Sequence, residues 1–442
     1  MSWQPKHPEI KAPSQMTKAL DIRTFGQKLS KFLNNTDRYI QEANPGGHYK
    51  EIWLRDASYI LKDQFISSAK KQQELLSIIR KIWSHQITRQ SRKRIIHGRG
   101  SPEMNFKSKS IAKNEKVDFE GALPSTICHK KKVSEIYAKN PDIDSTALMI
   151  STTAWILGNM VKDDGISFGI VKQPENKENK IDDTIDFTVP RMLKAIDYLV
   201  SRDIDSDGLL EQDHNEDWMD TVMRRGKIVY SQACFILALK HLSFLFTRIE
   251  MKKESYRMIE LANNTIKAVE KKLWSEEERS YIDIQQQEKH IGGPYRTLTQ
   301  DVSLYLIAVT EESNTSKNSL FRIRAQSTLD ALQRRMWKKK WPLVTEVELK
   351  KTGPWKLKPN QYHNHTFWPW STGIEMLARS RFDQFKECEM LFSKLSSEDH
   401  PHRHIFYEWV NPTNDRAQGA YPFRTGVSVV RIAAREIVSK IC

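Results

Sequence analysis

Apolar side chains recur along this chain at steps of three and four residues. Met258, Leu261, Ala262, Ile266, Val269 and Leu273 mark one such stripe, the spacing that sets one face of a helix against a core. The same periodicity predicts helices over roughly 17–41, 56–69, 73–86, 144–160, 187–201, 227–247, 299–310, 318–337, 368–380, 383–395 and 424–440. With the stripe above, that makes about a dozen helices. Strand signals are sparse and short, as in Tyr281-Ile-Asp-Ile284 and Trp341-Pro-Leu-Val-Thr345, and no internal repeat is visible. The expected class is all-α. The long connections, 88–143, 161–186, 203–226, 275–298, 338–367 and 396–423, contain most of the tryptophans, histidines and clustered acids. Long loops on a helical scaffold are where a functional site belongs.

Composition narrows the class without naming it. A chain of 442 residues with 39% apolar and 10% aromatic residues can build one large closed architecture, and a single domain over 1–442 is expected. Cys128, Cys234, Cys388 and Cys442 are scattered, with no CxxC pair, so neither a disulfide framework nor a zinc site is implied. The opening Met1-Ser-Trp-Gln-Pro lacks an apolar signal core, and the run Cys234–Phe246 is broken by Lys240 and His241. A soluble, cytoplasmic protein with no membrane partner is expected.

The net charge of +15 raises nucleic acid as a partner, but the charge is local. Between Arg80 and Asn140 fifteen Lys and Arg face five acids, a balance of +10, densest at Arg89–Arg94 and Lys130–Lys132. A solvated basic insertion around 88–140 explains this better than nucleic-acid binding, because no recognition motif accompanies it. Acids crowd elsewhere: 203–220 holds eight of them, with Trp218 and Met219 inside. Carboxylates accept hydrogen bonds from sugar hydroxyls, and an indole face covers sugar C–H surface. A carbohydrate enzyme is the expectation. Asp205-Ser-Asp-Gly208 also suggests a calcium loop, but no glutamate closes it, so no metal and no cofactor are expected.

Several loops match a family in order. Trp53-Leu-Arg-Asp56, Gly121-Ala-Leu-Pro124, Asp144-Ser-Thr146, Asp205-Ser-Asp-Gly-Leu-Leu210, Trp218-Met-Asp220, Arg225-Gly-Lys-Ile-Val229, Tyr362-His-Asn-His-Thr-Phe-Trp-Pro-Trp370 and Glu408 with Gly419-Ala-Tyr-Pro422 carry the match. The chain resembles the amylo-α-1,6-glucosidase domain of glycogen debranching enzymes over most of its length. That resemblance implies an (α/α)6 toroid with its site at one mouth, and an inverting, exo-acting hydrolysis of α-glucosyl linkages in an oligosaccharide or glucoside. It implies Asp220 as general acid and Glu408 as general base, the pair of carboxylates that such a cleavage requires. Glu216 and Asp217 are rival acids on the same loop. Trp53, Arg55, Asp56, Asp144, Trp218, His363, Asn364, Trp368, Trp370 and Tyr421 complete the implied sugar-binding set. Arg55 and Asp56 also read as a helix-start ion pair, and Asp144 as an N-cap. His365 replaces the family's usual glycine, and Glu408-Trp409 followed by Asn411-Pro-Thr413 is closer to glucoamylases. The alternatives are another toroid hydrolase, such as a trehalase or a glucosylglycerate or mannosylglycerate hydrolase, or a basic non-catalytic binding protein on the same scaffold.

Overall fold

The computed structural model describes residues 21–41, 51–89, 95–97, 119–128, 133–161, 178–222, 224–285, 298–311, 319–338, 341–349, 356–396 and 404–442. Twelve α-helices lie among them: α1 (Ile22–Gln41), α2 (Leu54–Ser67), α3 (Gln72–Trp83), α4 (Ile143–Met160), α5 (Glu178–Val200), α6 (Val229–Arg248), α7 (Lys252–Lys272), α8 (Ser303–Thr310), α9 (Ser319–Met336), α10 (Pro369–Arg381), α11 (Phe385–Leu395) and α12 (Arg424–Ile441). Even-numbered helices pack each against the next, and α12 closes back on α2, while the odd-numbered helices lie outside this ring. The chain is an (α/α)6 toroid.

Residue type sorts inner from outer helices. α4 and α6 are apolar or small on every face and buried along nearly their whole length. By contrast, α7 buries only Met258, Ala262, Thr265, Ala268 and Val269 and turns its lysines and glutamates outward. A helix apolar all round belongs in a core and one with a single stripe at its edge. α6 is also long and apolar enough to cross a membrane by composition, and 94% of its most apolar window is buried inside the protein. The ring is fastened where it closes. Arg431 on α12 meets Asp63 on α2 at 2.8 Å, both fully buried, and also donates to Leu33 O and Thr36 Oγ1 on α1.

Two regions depart from the sequence expectation. α5 begins at Glu178, nine residues before the start read from periodicity, and carries Pro190 inside it. Its first turns, Glu178–Asp186, are acidic, which the positive end of a helix favours but an apolar-periodicity reading passes over. A four-stranded sheet takes in part of the basic insertion: β1 (Ile52–Trp53), β2 (Ile95–His97), β3 (Thr126–Cys128) and β4 (Val133–Ile136), in the order β1-β3-β4-β2. Trp53 pairs with Thr126, and β2 runs parallel to β4. Phe119, Ala122, Leu123, Ile127 and Ile136 are buried core residues, so 119–128 and 133–140 are not the solvated segment that the charge suggested. Gly121, at φ +94, passes so close to α5 that a Cβ there would lie 2.2 Å from Lys194 O. The charge maxima 90–94 and 129–132 lie outside the described residues.

Candidate active site

One cavity opens at the end of the ring where the inner helices begin. Trp53, Arg55 and Asp56 reach it from the start of α2, Trp218 and Asp220 from the loop before α6, Tyr362, His363, Trp368 and Trp370 from the entry to α10, Glu408 from the loop before α12, and Phe423 and Thr425 from the start of α12. α4 and α8 contribute from beneath. Asp144 at the start of α4 faces Arg55 at 3.6 Å, and Asp301 just before α8 accepts from Trp218 Nε1 at 2.7 Å. All six inner helices therefore direct N-terminal ends toward this space, whose partial positive charge suits carboxylates and hydroxyl oxygens.

The walls are aromatic. Trp218 lies 4.6 Å from Trp370 and 5.5 Å from Trp368, and His363 stacks on Trp368 at 4.7 Å with 24° between the planes. Trp53 is packed at 4.6 Å against Tyr137, a residue that no sequence motif pointed to.

Of the three carboxylates that line this space, Asp220 and Glu408 are in different states. Asp220 Oδ1 is buried with no hydrogen-bond partner and lies 3.8 Å from His363 Nδ1. Burial raises its pKa to about 7; Arg55 opposes the rise, and the charges of Glu408, Asp217 and Asp144 add to it. Glu408 is only 5% exposed and held at both oxygens, Oε1 accepting from the Tyr362 hydroxyl at 3.0 Å and Oε2 from the Ala420 N–H at 2.8 Å. Gly419, at φ +81, makes this approach possible, because a Cβ there would lie 2.4 Å from Glu408 Oε2. Tyr362 is itself in a left-handed conformation at φ +50, as are Asn360 and His365, three non-glycine residues within six positions. Backbone strain of this kind concentrates at functional sites. Burial would lower the pKa of Arg55, but Asp144 and Asp56 outweigh it and lift it well above the usual value. Burial, with Arg55 and Arg224 nearby, holds His363 neutral, and it shares a 2.8 Å contact between Nδ1 and Thr221 Oγ1.

The residues singled out from sequence separate into two layers. Trp53, Arg55, Asp56, Trp218, Asp220, His363, Trp368, Trp370 and Glu408 line the cavity together. Asp144, Glu216, Asp217 and Asn364 lie behind it, and Tyr421 lies outside it, 54% exposed with its ring 4.6 Å from Tyr407. Asp144 holds Arg55 and accepts from Tyr230 OH at 3.1 Å. Glu216 binds Asn140, Arg202 Nη2 at 2.7 Å and the Asp213 N–H at 2.8 Å. Burial lifts its pKa to about 7 as well, against Arg202, so position and not acidity distinguishes it from Asp220. Asp217 meets Arg224 at 3.2 Å, and Asn364 binds the N–H and C=O of Leu349 at 2.7 and 3.0 Å. These contacts fix loops.

Sequence reasoning passed over Arg224, which is buried between Asp217, Asp283 at 3.1 Å and Asp301 at 2.8 Å and so locks three loops under Trp218. It also missed the roles of Tyr362, Phe423 and Thr425, the last donating to Asp56. The signal for Tyr362 was its place at the head of the aromatic motif. In the Asp203, Asp205 and Asp207 cluster, whose carboxylate oxygens lie within 4.8 Å of one another, ammonium groups fill the role of a cation: Lys227 sits 2.6 Å from Asp205, and Lys227 and Lys272 both bond Asp207.

No protein family matches the chain, and no curated protein matches its sequence. Solved structures match its fold. The GH63 mannosylglycerate hydrolase from Thermus thermophilus, in complex with glucose, superposes with a TM-score of 0.56 at 14% identity over 92% of this chain and 99% of that one. A rhamnosidase from Klebsiella oxytoca with rhamnose bound gives 0.54 at 13% identity over 97% of this chain and 65% of the other. A structure described as a wild-type glycosidase gives 0.57 at 10% identity over 95% of this chain and 99% of its own.

Proposed function

We propose that this protein is an inverting, exo-acting glycoside hydrolase that removes one terminal α-glucosyl unit. The observation that carries the reading is the pairing, in one aromatic-walled cavity, of a carboxylic acid that is half protonated near neutral pH with a second carboxylate held by two donated hydrogen bonds. Paired carboxylates in unlike environments are the arrangement for acid and base work on a glycosidic bond.

In this mechanism the terminal sugar stacks on Trp218, Trp368 and Trp370, and its hydroxyls bind Arg55 and Asp56. Asp220, protonated, gives its proton to the glycosidic oxygen as the C–O bond breaks. Glu408 takes a proton from the water that attacks the anomeric carbon from the opposite face. The bond formed is C–OH, the bond broken is C–O, and the proton lost by Asp220 is restored through Glu408 and solvent. A separation of roughly 6.5–9.5 Å between the two carboxyl groups leaves room for that water. Tyr362 and Ala420 orient Glu408, while Trp218 and the desolvated floor keep Asp220 protonated.

The motif order favours a debranching-type α-1,6-glucosidase. A second reading, a toroid hydrolase of small glycosylated solutes, is supported by the fold match to the mannosylglycerate hydrolase, which covers 92% of this chain and 99% of that one. Following the anomer of the first-formed sugar by NMR, with isomaltose, limit dextrin, trehalose and glucosylglycerate as substrates, tests both. Release of the retained anomer would falsify the roles given to Asp220 and Glu408.

A further inference from the structure

The four-stranded sheet adds to the toroid, and one of its residues is a wall of the cavity. Trp53, the last residue of β1, lines the cavity and immediately precedes α2, the helix that carries Arg55 and Asp56. Its indole is supported differently from the other three. Trp218 packs on Trp368 and Trp370, all three nearly fully buried, whereas the half-buried Trp53 packs on Tyr137 at 4.6 Å with 34° between the rings. The Arg55 guanidinium carbon stands 5.9 Å from the centre of the same indole.

The supports of Trp53 meet at one buried acid. Thr126 on β3 is the cross-strand partner of Trp53, and next to it Leu54 N–H donates to Ser125 O at 3.0 Å, which fixes the start of α2 on the sheet. Glu135 on β4 stands opposite Thr126. Its Oε2 accepts from Thr126 Oγ1 at 3.3 Å and from the Tyr137 hydroxyl at 3.1 Å, and the residue is only 7% exposed. A buried carboxylate is costly unless donors hold it. Here both donors belong to the groups behind Trp53, one pairing with its backbone and one packed on its ring. The segment after β4 also reaches the acid: Asn140 donates to Glu216, on the loop that carries Asp220.

We propose that Tyr137 and Glu135 are positioning residues of the active site, holding the Trp53 indole, and with it the start of α2, where the cavity can accept a terminal sugar. This rests on the glycosidase reading above. Neither residue touches the sugar; both act through Trp53. A wall side chain that leaves its place lowers the fraction of molecules with a competent cavity and leaves the chemistry of Asp220 and Glu408 alone, so the effect falls on KM. The inner part of the insertion, strands β3 and β4 with Tyr137, thereby serves the reaction as well as the core.

The test has a spectroscopic arm and a turnover arm, both on the full chain. In protein labelled with 5-fluorotryptophan, the fluorine resonance of Trp53 is assigned by its loss in Trp53→Phe. That resonance is expected to move or broaden in Tyr137→Ala and to return toward its parent position in Tyr137→Phe, which keeps the ring. An unchanged resonance in Tyr137→Ala overturns the proposal. Glu135→Gln, which keeps the shape but has one acceptor oxygen in place of two, should move the same resonance by less, and no movement removes Glu135 from the role. Tyr137→Leu reads the same contact if Tyr137→Ala does not fold. In the turnover arm, kcat/KM for the best substrate among isomaltose, limit dextrin, trehalose and glucosylglycerate should fall about tenfold in Tyr137→Ala, through KM, and recover most of the loss in Tyr137→Phe. In a Trp53→Ala background, Tyr137→Ala should cost little more, because the residue acts through the indole. Additive losses, or a lower melting temperature with KM unchanged, overturn the positioning role. Failure to cleave any glycoside sinks the glycosidase reading, while the resonance still decides whether Tyr137 holds Trp53.

Discussion

The two ends of the toroid are built from the same helices and handle polar groups in opposite ways. At the end where the inner helices finish, Lys240, His241 and Arg381 are each held by several partners. Lys240 donates to the carbonyls of Val309 and Glu311, capping α8 as cations do at a helix C-terminus. Arg381 donates to Ile307 O at 3.1 Å and meets both Glu311 and Glu436. His241 lies between Ser151 at 2.7 Å and Glu311 at 3.1 Å. At the end where the helices begin, Asp220 Oδ1, Trp370 Nε1 and Arg424 Nε are buried with none. Completed networks rigidify, and incomplete ones leave stabilisation to a ligand. The difference marks which end is structure and which is site.

The largest expected effect is at the mouth. Replacing Asp220 with Asn or Glu408 with Gln should each lower kcat by about two or more decades while circular dichroism is unchanged. Full activity in Glu408→Gln would remove the base. Removing a partner from a completed network should do the reverse. Arg431→Met leaves Asp63 charged and buried, and should cost about 3–5 kcal/mol in a denaturant titration with little change in kcat at low temperature. A smaller effect is expected where the backbone serves the site: Gly419→Ala pushes on Glu408 and should lower kcat by about one to two decades with a modest change in melting temperature.

The smallest effects are in pH dependence, and their signs oppose each other. Asp220 has a folded pKa of about 7, above its unfolded value, so its contribution is greatest in acid and is lost as pH rises toward and through 7. Asp220→Asn should therefore be more stable than the parent at pH 8, by on the order of 1 kcal/mol or more, and equal to it at pH 3.5. Burial lowers the pKa of His241, against the pull of Glu311, so its contribution is present above the unfolded value and is lost as pH falls through the folded one. His241→Gln should flatten the loss of melting temperature below pH 6.5. If both variants shift stability in the same direction at pH 8, the contrast between the ends fails.

Helices and mouth residues were legible because each rests on local pattern. Three-and-four spacing gives α2, α4 and α6 within a few residues, and the aromatic run from Tyr362 to Trp370 announces a wall whatever it faces. What was not legible depends on contacts between distant segments. Nothing local marks Arg224, whose three acids lie 7, 59 and 77 positions away in Asp217, Asp283 and Asp301. Nor does the sequence separate Glu216 from Asp220, since both are acids on one loop and only the fold sends the first to Arg202 and the second into the cavity. The sheet was hidden because β3 and β4 are three and four residues long amid lysines, too short to show alternation.

The closure of α12 onto α2 has a consequence for biosynthesis. Thr425 and Asp56, and Arg431 and Asp63, are partners separated by 369 and 368 residues. A ribosome delivers the first member of each pair long before the second, so the nascent ring stays open on the α2 side until α12 emerges. Glu408, Phe423 and Thr425 arrive with α12 and the loop before it. The docking of α12 therefore completes the seam and the last wall of the cavity in one event.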